Sequence, residues 1–135
     1  MKSQAALCEL TAKTEIFKGE AEFEEKNKGI FVTMEAEDCH CVWKILPKGI
    51  VIENQQEALS VLSLFDSGKG RVRIFSEFGE LEAVLSDVRI VREPHRILVS
   101  YKIEEEAEFQ FELQSEDFCF IEHEPAAPLR ADRMT

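Results

Sequence analysis

The sequence lacks the long apolar run that a membrane-spanning helix needs. No stretch approaches the ~18 consecutive apolar residues that cross a bilayer as a helix. The first ten residues show neither a long apolar run nor a convincing cleavage site for a signal peptide. Four cysteines without a secretory signal favour a reducing compartment in which thiols stay free. We therefore expect a cytoplasmic protein that makes no contact with a membrane.

The common catalytic and metal-binding motifs are also absent. The chain has no G-x-S-x-G elbow and no C-x-x-C pair, and residues 66–70 (DSGKG) lack the spacing of a phosphate loop. Cys39, His40 and Cys41 are the one compact group of metal-ligand types. On a strand, the two cysteines would face one side and the histidine the other, so the three would not converge. We predict no catalytic residue, no metal site and no cofactor.

Positive charge is scarce and unevenly placed. The net charge is −11, and residues 103–129 contain nine acidic residues but no Lys or Arg. An acidic chain repels phosphate backbones and anionic lipid surfaces, so we expect neither nucleic acid nor membrane as a partner. Five of the seven arginines lie between Arg71 and Arg96, where they would either pair with neighbouring carboxylates or form a patch for an anionic ligand.

The sequence does contain a series of segments in which apolar and polar residues alternate. In residues 107–115, for example, Phe109, Phe111 and Leu113 would point to one side of a strand and the intervening polar residues to the other. Glycines, prolines and charged pairs separate the segments, as they do in turns. The predicted strands are residues 7–17, 30–36, 39–46, 49–53, 59–65, 71–75, 79–91, 96–104 and 107–115, with 20–25 as a hairpin extension and 118–122 as an extra edge strand.

Strands joined by short turns, without helical crossovers, form an antiparallel meander, which in a chain of 135 residues tends to close into a barrel. We therefore predict an all-β fold, a single antiparallel up-and-down β-barrel over residues 1–123. Residues 1–6 would be a loose start, and residues 124–135, rich in Pro and Ala, a disordered tail. Ten Phe, against one Trp and one Tyr, would fill the core or line an apolar cavity.

Several of these segments resemble a known family. The resembling elements are the strand that ends at Phe65, the following Gly68, the stretch Phe78-Gly79-Glu80-Leu81, residues 99–103 (VSYKI), the run Phe111-Glu112-Leu113, and the strand–turn–strand unit of residues 42–53. Together they resemble the YwiB-like family of small bacterial proteins of unknown function. The resemblance implies a calycin (lipocalin-like) barrel and no particular activity. Residues 54–57 (NQQE) and 75–77 (FSE) depart from the family's Arg-x-Gly and Tyr-x-Thr steps, so roles at those positions do not carry over.

Arg71 and Arg73 are the most informative candidates for a ligand site. They share one face of a strand, opposite Val72 and Ile74. If that face lines the barrel, two guanidinium groups would hold a carboxylate or phosphate. If it is the outer face, they would form cross-strand ion pairs, with Glu80 or Glu82 as partners. The predicted ligand-binding residues are Arg71 and Arg73, together with Trp43 and Tyr101.

Three classes of function follow from this architecture. The first is a binder that holds a small apolar or anionic ligand inside the barrel. The second is a non-enzymatic protein-interaction module with a barrel filled by side chains, and the third is an enzyme with an unrecognised site. An open lumen would favour the first class, and a filled lumen with an exposed apolar patch would favour the second.

Overall fold

A computed structural model describes residues 1–37 and 39–121 of the chain. Within these residues the chain forms ten β-strands and no helix, hence no helix that could cross a membrane. The strands are β1 Lys2–Glu9, β2 Thr14–Lys26, β3 Gly29–Ala36, β4 Cys39–Leu46, β5 Gly49–Gln55, β6 Leu59–Phe65, β7 Gly70–Ser76, β8 Gly79–Glu93, β9 Arg96–Ile103 and β10 Ala107–Gln114. The tail predicted from residue 124 lies outside the described residues.

Every strand pairs antiparallel with the next one along the chain, and β1 pairs with β10 to close the sheet. The predicted all-β, antiparallel up-and-down barrel is therefore confirmed, with ten strands rather than about nine. We call the end that carries the turns at residues 10–13, 56–58, 77–78 and 104–106 the upper rim. The lower rim carries the turns at residues 27–28, 47–48, 66–69 and 94–95.

The prediction for the start of the chain was wrong. Residues 1–6 are not loose, because β1 begins at Lys2 and pairs with both β2 and β10. Residues 7–17 are not one strand, because the chain turns at residues 10–13. The Glu9 carboxylate accepts hydrogen bonds from the backbone N–H groups of Thr11, at 2.9 Å, and Ala12, at 2.8 Å. A side-chain carboxylate thus stabilises this turn without the Gly or Pro that usually marks one.

Side chains pack the interior of the barrel. Inward-facing residues alternate with outward-facing ones along most strands, as in the buried Cys39, Cys41, Trp43 and Ile45 of β4. Trp43 is 1 % exposed and is the largest of the fully buried side chains. The other large members are Phe23, Met34, Ile50, Leu64, Leu85, Ile97 and Leu113. The core of this protein is therefore the lumen of its barrel.

A segment that follows the last strand closes the lower rim. Phe118 and Phe120 are buried there, and the Phe118 ring stacks on that of Phe23 with 4.4 Å between centroids. Residues 118–121 were predicted to begin an extra edge strand, and that prediction was wrong; residue 122 lies outside the described part. Because β1 already occupies the outer edge of β10, no edge is left for another strand there.

His95 and Ser115 hold this closing segment in place. The His95 Nδ1 atom lies 2.9 Å from the Phe118 carbonyl oxygen and 3.1 Å from that of Ser115, so this nitrogen must carry the proton and donate it. The Ser115 hydroxyl donates to the Gln4 carbonyl oxygen at 2.7 Å and accepts from the Phe118 N–H at 3.2 Å. These contacts assign a structural role to His95.

We predict that Phe118→Ala lowers the free energy of unfolding by about 3–5 kcal/mol, because it removes a buried aromatic ring and leaves a cavity at the lower rim. Phe78→Ala is the matched control, because the Phe78 side chain is 92 % exposed. It should change stability by less than about 0.5 kcal/mol. Urea denaturation of both variants measures the difference. Equal losses in the two variants would show that residues 115–121 do not close the barrel.

Candidate functional site

The two arginines proposed as ligand-binding residues lie on the outer face of β7. Arg71 Nε is 3.0 Å from a Glu82 carboxylate oxygen, and Arg73 Nη2 is 2.8 Å from a Glu80 carboxylate oxygen. The hydrogen bond and charge of Glu80 raise the pKa of Arg73. The two arginines therefore form cross-strand ion pairs on the outer face and do not line the barrel. Val72, which lies between them in the sequence, packs against the core.

Trp43 and Tyr101 lie inside the barrel. Trp43 is fully buried, and Tyr101 is 5 % exposed with its ring stacked near Phe109 and Phe111, at centroid distances of 5.7 and 6.2 Å. The structure therefore does not bring these two residues together with Arg71 and Arg73. Ligand binding at these four positions stays a prediction.

The residues Cys39, His40 and Cys41 alternate as a strand requires. Both cysteines are buried and face the core, whereas His40 faces outward, 3.9 Å from a Glu35 carboxylate oxygen. Burial raises the pKa of Cys41 to about 12, and it also raises the pKa of Cys39. No group of three or more metal-ligand side chains converges within the described ranges 1–37 and 39–121. These thiols are core residues that stay protonated at neutral pH.

Several stretches of the sheet pair on one side only, among them residues 14–21 of β2 and the start of β8. Strand β7 pairs with β8 from Gly79 onward, but β9 joins β8 only from Leu85. Residues 79–84 therefore have a hydrogen-bonded neighbour on one side only. In an antiparallel sheet every second residue directs its N–H and C=O away from a given neighbour. We call residues 79–84 the open edge.

The open edge and the hairpin turn beside it carry exposed apolar side chains. Phe78 is 92 % exposed and Leu81 is 70 % exposed, and Ile74 and Val84 are also exposed. Leu81 lies opposite Ile74, and both are on the face of the sheet that turns toward the barrel interior. Leu81 is nearer the upper rim than Leu85, where β9 begins to pair with β8, so the barrel does not cover its side chain. Single exposed apolar residues are ordinary, but several of them on and beside a strand stretch that pairs on one side only mark a surface for association.

An acidic turn lies beside the open edge. Glu104, Glu105 and Glu106 form the turn between β9 and β10 and are all exposed. A groove of about 350 Å³ separates this turn from β8 and is lined by Glu82, Val84, Ser86, Glu104 and Glu105, among others. None of the three turn glutamates forms an ion pair within the described part of the chain. The groove thus has free negative charge on one wall and unpaired backbone on the other.

The backbone of this turn is strained. Glu104 and Glu105 have φ values of +54° and +61°, in the left-handed region. Gly and Asn are favoured at such positions, and other side chains there cost about 1–2 kcal/mol per residue. Two adjacent glutamates therefore occupy a turn for which their conformational preference is poor. Their charge is the property that Gly or Asn would not supply.

Comparison with known proteins adds no independent assignment of this site. No protein-family model, no curated protein and no solved structure matches the chain significantly. The open edge was missed by analysis of the sequence, although Leu81 and Phe78 stood within the predicted strands and turns. The available signal was the length of β8, which at 15 residues exceeds the 8 residues of β9 and cannot be fully paired by it.

We predict that stability falls as pH rises above 9. Burial raises the pKa of Cys41 from 9.0 to about 12, and burial, with the charge of Glu9, raises that of Tyr101 from 10.0 to about 12. The folded state keeps these protons while the unfolded state loses them. The contribution is complete below the unfolded pKa and is lost as pH rises toward the folded pKa. The loss for Cys41 should approach about 1.4 kcal/mol per pH unit.

Urea denaturation at pH 7 to 11 measures this dependence. Cys41→Ala should reduce the slope between pH 9 and 10, because Tyr101 ionises later. Cys119→Ala removes a half-buried thiol outside the barrel strands and is the matched control. An identical slope in all three proteins would contradict the assignment of the effect to Cys41.

Proposed function

We propose that this chain is a non-enzymatic interaction module that binds an extended segment of a partner protein along the open edge of β8. One observation carries the proposal: among the stretches of strand in residues 1–37 and 39–121 that pair on one side only, residues 79–84 carry the most exposed large apolar side chains, Leu81 at 70 % and Val84 at 75 %. The packed interior supports this class of function over a carrier with its ligand inside the barrel, because Trp43 and its neighbours occupy that volume.

Binding would proceed by β-strand addition. The partner segment would occupy the place that a longer β9 would fill, and its backbone would pair with the outward-directed N–H and C=O groups of residues 79–84. Backbone pairing supplies affinity with little dependence on sequence, whereas alternate side chains supply specificity. Side chains on one face would contact Leu81, and those on the other would lie beside Glu80 and Glu82.

Charge determines the chemistry of the partner segment. Glu80 and Glu82 are already paired with arginines, but Glu104 and Glu105 present two carboxylates at the groove that form no ion pair in the described part of the chain. An incoming segment that alternates apolar residues with Lys or Arg would cover Leu81 and neutralise the acidic turn. A second copy of the chain fits less well, because each copy carries a net charge of −11 and would bring its own acidic turn to the joint.

The proposal includes a calycin-type barrel, a relationship to the YwiB-like family and a cytoplasmic location. Up-and-down connectivity between consecutive strands supports the barrel type. All four cysteines are free, which supports a reducing compartment. A partner that is a protein segment rather than nucleic acid agrees with the acidic composition.

We predict that peptides selected from a random library displayed on phage alternate apolar and basic residues and bind at the open edge. Leu81→Lys should weaken their binding by about tenfold or more, because it places a charge against the apolar face of the peptide. Val91→Lys is the matched control: Val91 is exposed on the same strand, where β9 pairs with it. It should leave the affinity unchanged. Fluorescence anisotropy with the selected peptides measures both.

A second variant separates the charge of the acidic turn from folding. The double variant Glu104→Asn with Glu105→Gly suits the left-handed backbone of the turn and should raise the stability of the protein. It should also lower the affinity for the same peptides, because it removes two negative charges. Selection of no peptides, or of peptides that bind the Leu81→Lys variant as tightly as the original chain, would overturn the proposal. A dimer in sedimentation equilibrium that Leu81→Lys dissociates would assign the open edge to a second copy instead.

A further inference from the structure

The lower rim carries a pocket that is independent of the open edge. It has a volume of about 410 Å³ and lies between the lower ends of β2, β3 and β4 and the C-terminal end of β8. Phe120 of the closing segment forms part of its wall. Because it stands at the opposite end of the barrel from residues 79–84, neither site needs the other. Pockets of this size at a barrel mouth are the usual places for small organic ligands.

One part of the pocket wall is apolar. Ile30, Ile45, Leu46, Pro47 and Phe120 line it. Ile30 and Ile45 face each other across β3 and β4, and Phe120 stays buried against Phe23. Apolar side chains cannot replace the water molecules that an inorganic ion would lose on entering the pocket. A ligand that fits this wall therefore has an apolar body.

The rest of the wall carries an excess of positive charge. Arg92 reaches the pocket from β8, and Lys28 from the turn between β2 and β3. Arg92 contacts the Asp66 carboxylate only at 3.3 and 3.4 Å, which leaves other donors of its guanidinium available. Lys28 has no ion-pair partner in residues 1–37 and 39–121. The acidic member of the lining is Glu25.

Lys26 also lines the pocket but its ammonium group is engaged elsewhere. It lies 3.5 Å from a Glu24 carboxylate oxygen and 4.7 Å from the centroid of the Phe31 ring, on the outer face. Arg92 forms an ion pair with Asp66 at 3.3 Å but its guanidinium keeps further N–H donors, and Lys28 has no ion pair in the described residues. These two cations can therefore contact a ligand, and Glu25 is the one carboxylate among the residues that line the pocket. In a chain with a net charge of −11, this local excess of cations is unusual.

We propose that the lower-rim pocket binds an amphipathic organic anion, whose carboxylate or phosphate contacts Arg92 and Lys28 and whose apolar body packs on Ile45, Pro47 and Phe120. A guanidinium binds such head groups through two parallel hydrogen bonds, and a lysine adds a point charge. The apolar wall selects for the body, so neither the inorganic anion nor the uncharged body alone satisfies the whole pocket.

The test uses the fluorescent aromatic anion 8-anilinonaphthalene-1-sulfonate as probe and decanoate as competitor. Decanoate should displace the probe at concentrations about tenfold lower than decanol or inorganic phosphate do, because only decanoate uses both parts of the wall. Equal displacement by decanol would overturn the role of the cations. Equal displacement by phosphate would overturn the role of the apolar wall.

Two matched variants locate the binding. Lys28 and Lys13 both occupy turns with left-handed backbone, at φ values of +62° and +55°, but at opposite rims. Lys28→Gly and Lys13→Gly remove the same charge, and Gly suits both turns, so neither variant should impair folding. We expect Lys28→Gly to lower the affinity for decanoate by about fivefold, and Lys13→Gly to leave that affinity unchanged. Equal affinities in the two variants would overturn the proposal.

A third variant tests whether the probe reports on this pocket rather than on the apolar residues of the upper rim. Arg92→Gln should lower the affinity for decanoate by about tenfold, whereas Leu81→Lys should leave that affinity unchanged. If Leu81→Lys abolishes displacement and Arg92→Gln does not, the ligand binds at the open edge and the lower-rim proposal is wrong. Failure of the peptide selection leaves this test unaffected, because the two sites share no residue.

Discussion

The width of a ten-stranded barrel is the constraint on which the rest of this structure depends. The diameter of a barrel grows with strand number, and eight strands already enclose a lumen that side chains only just fill. Two additional strands leave space that ordinary inward-facing residues of the strands do not fill alone. Here Trp43 occupies the middle, and Phe118 and Phe120 enter from a segment beyond the last strand. The hydrogen bonds from His95 and Ser115 are needed because that segment has no strand partner to hold it.

A filled lumen moves binding to the two rims, where strands of unequal length end at different heights. A β-bulge at residues 86–89 of β8, with Asp87 at φ +52°, shifts the register against β9 just after Leu85, the first residue of β8 that β9 pairs with. Nearer the upper rim, residues 79–84 of β8 pair with β7 alone and form the open edge. Below the bulge, β8 continues to Arg92 and brings a guanidinium to the lower rim. The two ends of one strand thus carry residues of both proposed sites.

The limits of prediction from the sequence follow from which interactions are local. Strands such as Cys39–Leu46 and Leu59–Phe65 have the predicted bounds, because alternation and the neighbouring turn residues are properties of the segment itself. The turn after Glu9 was missed because a carboxylate, rather than Gly or Pro, stabilises it. Phe118 and Phe120 alternate like strand residues, and only closure of the barrel excludes them from the sheet. The open edge depends on the register between β8 and β9, which no single segment encodes.

Net charge was the basis for excluding anionic partners, yet the structure shows that its effect is local. A strand of eight residues spans about 26 Å, whereas exposed charges are screened over about 8 Å at physiological ionic strength. The acidic turn at residues 104–106 on the upper rim therefore contributes little to the potential felt at Arg92 and Lys28 on the lower rim. An acidic protein of this shape can attract a basic segment at one end and an organic anion at the other. The net charge of −11 is a sum over the whole chain and does not describe the local potential at either end.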